Sequence, residues 1–193
     1  MKSLSGKTYL SQYALVGGTA LALYYGHRLS IDLVLFSPAA MDAEVMRGAI
    51  LNDYENVRVI QQSRNGLSLT IEDIKLDILQ YSYPIIFPVV ETDGIRLLDK
   101  RDIAAMKFDT ASRRGSKKDF YDIFYLLKEF SMEELRAFYA AKFQDATFFY
   151  VIRSLHYFEN AESDTDPDPV SLENLSWEDV KIGIRKALSN YQF

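Results

Sequence analysis

The chain has 193 residues, enough for one domain of ordinary size or two small ones. It contains no cysteine and only two histidines, His27 and His156. That excludes disulfides, thiolate zinc sites and cysteine nucleophiles, and argues against a multi-histidine metal centre. With 22 Lys and Arg against 27 Asp and Glu the net charge is −5, so contact with nucleic acid has to come from a local patch.

In chain order, Lys2 and Lys7 ahead of the apolar run 13–25 imitate an export signal. Gly17-Gly18-Thr19 interrupts the run, however, and Gly26-His27-Arg28 stands where a small-residue cleavage site would be. The run is also too short to cross a bilayer, so the expectation is a cytoplasmic chain with no membrane segment. Tyr13 to Val16 reads as a short buried strand ending in Gly17-Gly18, with Thr19 as N-cap of a helix over 20–25 that Gly26 stops. The segment 31–36 alternates as a strand, placing Asp32, Val34 and Phe36 on one face. Ser37-Pro38 predicts the cap and first residue of a helix reaching about Leu51. Strands over 57–62 and 67–72 flank Arg64-Asn65-Gly66, a hairpin signal, and 74–81 forms another strand. Asp93-Gly94 marks a turn.

From Asp99 the pattern becomes helical. Asp99 with Asp102 resembles an acidic capping box for a helix to about Arg114, which Gly115 ends. A second helix covers 117–130, Ser131 with Glu134 caps a third, and 146–159 and 177–191 read as two more. Between those last two, residues 159–179 carry eight acids and no Lys or Arg, the composition of a solvated loop. The fold class that follows is α+β. A small mixed β-sheet with flanking helices occupies 1–98, and a helical domain follows over 99–193.

Gly17-Gly18-Thr19 between a strand and a helix leaves backbone N–H groups able to cradle phosphates, and Asp32 on the next strand can hold Mg²⁺. Between Lys100 and Lys118 seven bases face two acids, a local patch suited to phosphates or RNA. At helical spacing Lys107, Arg114 and Lys118 share one face of that patch. Asp73 reads as a turn residue, Asp119 as a partner in an ion pair within its helix, and Asp122 as a residue that orients Lys107 or an arginine. His27 reads as a local hydrogen-bonding or phosphate-contacting residue, and His156 and the C-terminal aromatics as structural.

Two separated motifs sharpen this reading. Gly17-Gly18-Thr19-Ala20-Leu21-Ala22-Leu23, followed by Gly26-His27-Arg28-x-Ser30-x-Asp32, resembles the AbiEii/AbiGii-type toxins of the polymerase-β-like nucleotidyltransferase superfamily. Asp102-Ile103-Ala104-Ala105-Met106-Lys107, then Arg113-Arg114-Gly115 and Lys118-Asp119-x-x-Asp122, is similar to that family's helical motif. The resemblance spans about 13–127. It implies a nucleotidyltransferase-like fold and Mg²⁺-dependent transfer of a nucleoside monophosphate from an NTP to an acceptor such as a tRNA 3′ end. It implies the role of a toxin paired with an antitoxin in an abortive-infection type system. By the same resemblance Gly17, Gly18 and Thr19 hold the triphosphate, with Arg28, Arg114 and Lys118 as further phosphate contacts. Asp32 and Asp77 are the metal and catalytic carboxylates, and Lys107 is the catalytic cation.

The chain departs from the family at one position. A second metal carboxylate is expected two residues after Asp32, where this chain has Val34. Valine offers no lone pair to a hard cation. The alternative reading is therefore a catalytically degenerate nucleotidyltransferase fold that acts by binding nucleotide or a partner.

Overall fold

Alternation of apolar residues along the N-terminal strands decides which way each strand faces. The computed structural model describes residues 2–113, 115–144 and 146–191. These form two compact units, one of residues 1–20 and 30–99, the other of residues 21–29 and 100–193. Among the described residues no helix is long and apolar enough to cross a membrane.

The first unit begins with α1 (Lys2–Ser5) and a 3-10 turn (Thr8–Leu10). They lead to β1 (Ala14–Leu15) and the opening of α2 (Gly17–Tyr25). Then come β2 (Leu33–Ser37), α3 (Ala43–Asp53), β3 (Val57–Ser63), β4 (Gly66–Ile71), β5 (Ile74–Gln80), β6 (Val90–Thr92) and β7 (Ile95–Leu97). The strands make one mixed sheet of order β3-β4-β5-β2-β1-β7-β6. β2 runs parallel to β5, and β1 parallel to β7, while the remaining neighbours are antiparallel. One face buries Leu33 and Leu35 of β2, Leu67 and Leu69 of β4, and Leu76 and Ile78 of β5. Each such side chain removed from water contributes about 1.5–3 kcal/mol. Because side chains alternate, Val34, Ser68 and Asp77 share the opposite face.

The local start signals are corrected in two places. α2 begins at Gly17, whose φ of +69° lies in the left-handed region open to glycine, so Thr19 sits inside the helix and is not its cap. α3 is not capped by Ser37-Pro38, since Ser37 is the buried last residue of β2. Its cap is Asp42, whose carboxylate accepts from the N–H groups of Glu44 at 3.0 Å and Val45 at 3.1 Å. Glu72 and Asp73 both have positive φ, 48° and 66°, and make the tight turn between β4 and β5. Asp73 is thus a turn residue.

The second unit holds the end of α2 and six further helices: α4 (Lys100–Arg113), α5 (Lys117–Glu129), α6 (Met132–Lys142), α7 (Phe148–Ser154), α8 (Glu159–Glu162) and α9 (Trp177–Ser189). Capping boxes open α5 (Ser116 and Asp119), α6 (Ser131 and Glu134) and α9 (Ser176 and Asp179). The helix expected over 146–159 is two pieces, α7 and the single turn α8. Lys107 and Lys118, expected to share one helix face with Arg114, stand on different helices, α4 and α5, and Arg114 lies outside the described residues. Gly115, with φ +38°, separates α4 from α5, so helical periodicity does not carry across it. Asp102 does more than the capping role expected of it. It is fully buried and carries the equally buried Lys142 ammonium at 2.6 Å, joining α4 to α6. α9 packs against α5 closely enough that a Cβ on Gly183 would lie 2.2 Å from the Phe124 ring, so a larger residue there requires that ring to shift.

Candidate functional site

The sheet presents its chemistry at the start of β2 and on the face opposite the core. Val16 donates its N–H to the carbonyl of Val34 at 2.9 Å, which brings the Gly17-Gly18-Thr19 turn beside β2. The Thr19 hydroxyl donates to the backbone carbonyl of Asp32 and is 2.8 Å from Ser30 Oγ. Gly17, Gly18, Thr19 and Asp32 are therefore neighbours, as the sequence pattern implies. Asp32 precedes β2 and its side chain is exposed.

Asp77 occupies the middle of β5. It stands in register with Val34 on one side and Ser68 on the other. Its carboxylate accepts from Ser68 Oγ at 2.5 Å and lies 3.0 Å from Lys75 Nζ. Position 34 is thus the residue directly beside Asp77, and its isopropyl group leaves that side of the carboxylate without a second ligand. Among the described residues no group of three or more His, Asp or Glu side chains is arranged to hold a metal ion. Asp32 and Asp77 offer carboxylate oxygens, the donor type a hard divalent cation takes.

The cationic residues meet in a buried cluster of the helical unit. Asp122, with no exposed surface, is its centre. Arg28 grips it in bidentate fashion, Nε to Oδ1 at 2.8 Å and Nη2 to Oδ2 at 3.0 Å. His27 Nε2 donates to Oδ1 at 2.7 Å, and Lys107 Nζ lies 2.7 Å from Oδ2. Lys107 is also 2.7 Å from Asp119, whose other oxygen accepts from the Ser116 hydroxyl and N–H. Burial alone would push the Asp122 carboxyl upward, but Lys107, His27 and Arg28 outweigh it and hold the group well below the usual carboxylate range. Burial likewise pulls Lys107 downward, and the charges of Asp122 and Asp119 reverse that and keep it above its ordinary value. The cluster sets two cations, Arg28 and Lys107, against two carboxylates, Asp119 and Asp122. His27 Nδ1 is buried without a hydrogen-bond partner among the described residues.

The sequence thus places the two carboxylates in one unit and the cations in the other. Arg28 and Lys107 come together, both on Asp122, and Asp122 does orient them. Asp119 pairs with Lys107 of the preceding helix instead of within its own. Lys118 is apart from them, its ammonium 2.5 Å from Asp166. Arg114 lies outside the described residues. Sequence reasoning missed Ser68 and Lys142. Ser68 was within reach, because a turn at Glu72-Asp73 fixes the β4–β5 register and sets residue 68 opposite 77. Nothing local marks Lys142 as the partner of Asp102, 40 residues away.

A sheet with this topology, a glycine turn beside a carboxylate-bearing strand and a helical unit after it define the nucleotidyltransferase fold. Residues 1–189 match the family described as the nucleotidyl transferase AbiEii toxin of a type IV toxin–antitoxin system, and the chain belongs to that family. It is 31% identical over 188 residues to the uncharacterized protein aq_aa25 of Aquifex aeolicus (strain VF5), covering 94% of this chain and 88% of the relative. Two solved structures share the fold. MenT4, a nucleotidyltransferase toxin of Mycobacterium tuberculosis H37Rv, superposes with a TM-score of 0.62 at 16% identity over 98% of this chain and 80% of its own. JHP933 of Helicobacter pylori gives 0.62 at 17% identity over 97% and 85%.

Proposed function

We propose that the chain transfers a nucleoside monophosphate from an NTP to an RNA hydroxyl, such as a tRNA 3′ end, as a cytoplasmic toxin held in check by an antitoxin. One observation carries the reading: Asp77 lies in the sheet beside the strand that Asp32 opens, and the Gly17-Gly18-Thr19 turn is bonded to that same strand. In the reaction the acceptor oxygen bonds to the α-phosphorus while the bond from that phosphorus to the bridging oxygen breaks, and pyrophosphate leaves. Asp77 takes the proton of the attacking hydroxyl, with Ser68 and Lys75 fixing its rotamer. Gly17, Gly18 and Thr19 hold the triphosphate, and Lys118 and Arg114 are the proposed phosphate contacts of the helical unit. Asp32 and Asp77 are the residues that would hold Mg²⁺, which supplies neutralisation of phosphate charge. Arg28 and Lys107 already neutralise carboxylates of the chain, so their part is to fix the helical framework around Asp122.

Incubation with Mg²⁺, each α-³²P-labelled NTP in turn and total RNA tests the reading. The expected result is labelled RNA with one preferred NTP, lost in Asp77→Asn. The second reading, a degenerate fold that binds without turnover, draws its support from Val34 beside Asp77. It requires NTP binding that ignores Mg²⁺ and no label in RNA.

A further inference from the structure

The acid-rich stretch that the sequence presents as a solvated loop is fastened at both ends. Upstream, Glu162 of α8 accepts from Trp177 Nε1 at 2.9 Å and Lys181 Nζ at 2.8 Å. Downstream, Leu29 donates its N–H to the Val170 carbonyl and Leu172 to the His27 carbonyl, each at 2.9 Å, so Ser171 pairs with Arg28 as an antiparallel bridge. Glu173 and the Leu175 carbonyl accept from the hydroxyls of Tyr125 and Tyr121 at 2.6 and 3.0 Å. The span between the anchors reads Ser163-Asp164-Thr165-Asp166-Pro167-Asp168-Pro169.

Two of its carboxylates rest on the first turn of α5, Asp168 on Lys117 Nζ at 2.6 Å and Asp166 on Lys118 Nζ at 2.5 Å. Each of these aspartates precedes a proline. Proline fixes its own φ and drives the residue before it toward an extended conformation, so little chain entropy is lost in presenting the pair. Exposed ion pairs are weak individually, and these contacts are exposed. Anchoring at both ends nevertheless keeps the carboxylates at high effective concentration over the same two lysines.

We propose that residues 163–169 are a built-in competitor for phosphate, an acidic strap that occupies the Lys117 and Lys118 ammonium groups and must be displaced before a polyphosphate reaches them. The proposal rests on the reading of Lys118 as a phosphate contact and adds its regulation: a ligand or partner that lifts the strap raises the affinity of the site.

Calorimetric titration of the full chain with inorganic tripolyphosphate, without metal and at low salt, tests it. Asp166→Asn/Asp168→Asn is expected to bind about 3–10-fold more tightly than the unaltered chain, the range two exposed ion pairs allow. The gain should vanish when Lys117→Gln/Lys118→Gln is added. Equal affinity with and without the aspartates, a gain that survives loss of both lysines, or absence of binding by either protein would each overturn the strap. RNA labelling is read separately. Labelling without a strap effect leaves the transferase reading standing alone, and a strap effect without labelling removes transfer while keeping the strap.

Discussion

Asp122 is where the charge of the helical unit converges, and its energetics follow from its partners. Arg28, Lys107 and His27 all point at one buried carboxylate. Removing one member of such a set leaves buried cations uncompensated, at a cost of about 3–5 kcal/mol. Asp122→Asn should therefore lower the urea midpoint by that equivalent at pH 7. The pH dependence has a definite sign. The carboxyl is held below its ordinary value in the folded chain, whereas in the unfolded chain it takes up a proton near pH 4. Its stabilisation is complete above that pH and drains away as pH falls toward the folded value. Urea midpoints measured from pH 7 to pH 3 should fall less steeply for Asp122→Asn than for the unaltered chain. An unchanged acid limb would show that other carboxylates govern acid unfolding. The motif residues Lys107 and Asp122 were legible in the sequence, but their pairing was open, because i,i+4 reasoning points along a helix and these bonds run between helices.

At the scale of elements, the Asp102–Lys142 pair couples α4 to α6 with no exposed surface on either side chain. Burial, against the opposing pull of Asp102, lowers the Lys142 ammonium below its ordinary range, the sign of a charge that folding desolvates at a cost. Two buried charges replaced together by apolar groups are commonly neutral or stabilising, whereas one removed alone is costly. Lys142→Met alone should destabilise by about 3–5 kcal/mol, and adding Asp102→Leu should restore most of that loss. Thermal unfolding of the three variants measures it, and additive losses would show that the pair is net favourable. The elements themselves were legible where periodicity is long. The strands 57–62, 67–72 and 74–81 and the helices over 99–114, 117–130 and 177–191 fall close to their observed bounds, while the one expected over 146–159 is broken in two. Helix starts were read less well. Ser37-Pro38 has the form of a cap, yet Ser37 is held in β2 by its pairing with Gln80, and the helix waits for Asp42. Tertiary pairing overrode a local signal there, and the three-residue strands β6 and β7 are too short to announce themselves.

For the whole molecule, the division of labour between a carboxylate-bearing sheet and a cation-bearing helical unit was readable from composition and the two motifs. The acidic segment was not, because its partners Lys117, Lys118, Arg28 and Tyr125 are distant in sequence. What the register adds is the place of Val34. A strand pattern says that residues 32 and 34 share a face. The register sets position 34 directly beside Asp77. If the sheet is the nucleotide-transfer centre proposed above, Val34 is the position that weakens it. The most direct test compares RNA labelling by the unaltered chain, Val34→Asp and Val34→Asp/Asp77→Asn under the same Mg²⁺ and NTP. A restored ligand should raise the rate about 10²–10³-fold, the scale of regaining one strong electrostatic contact, and the added Asp77→Asn should abolish the gain. Equal rates for the unaltered chain and Val34→Asp, or a gain indifferent to Asp77, would contradict the account.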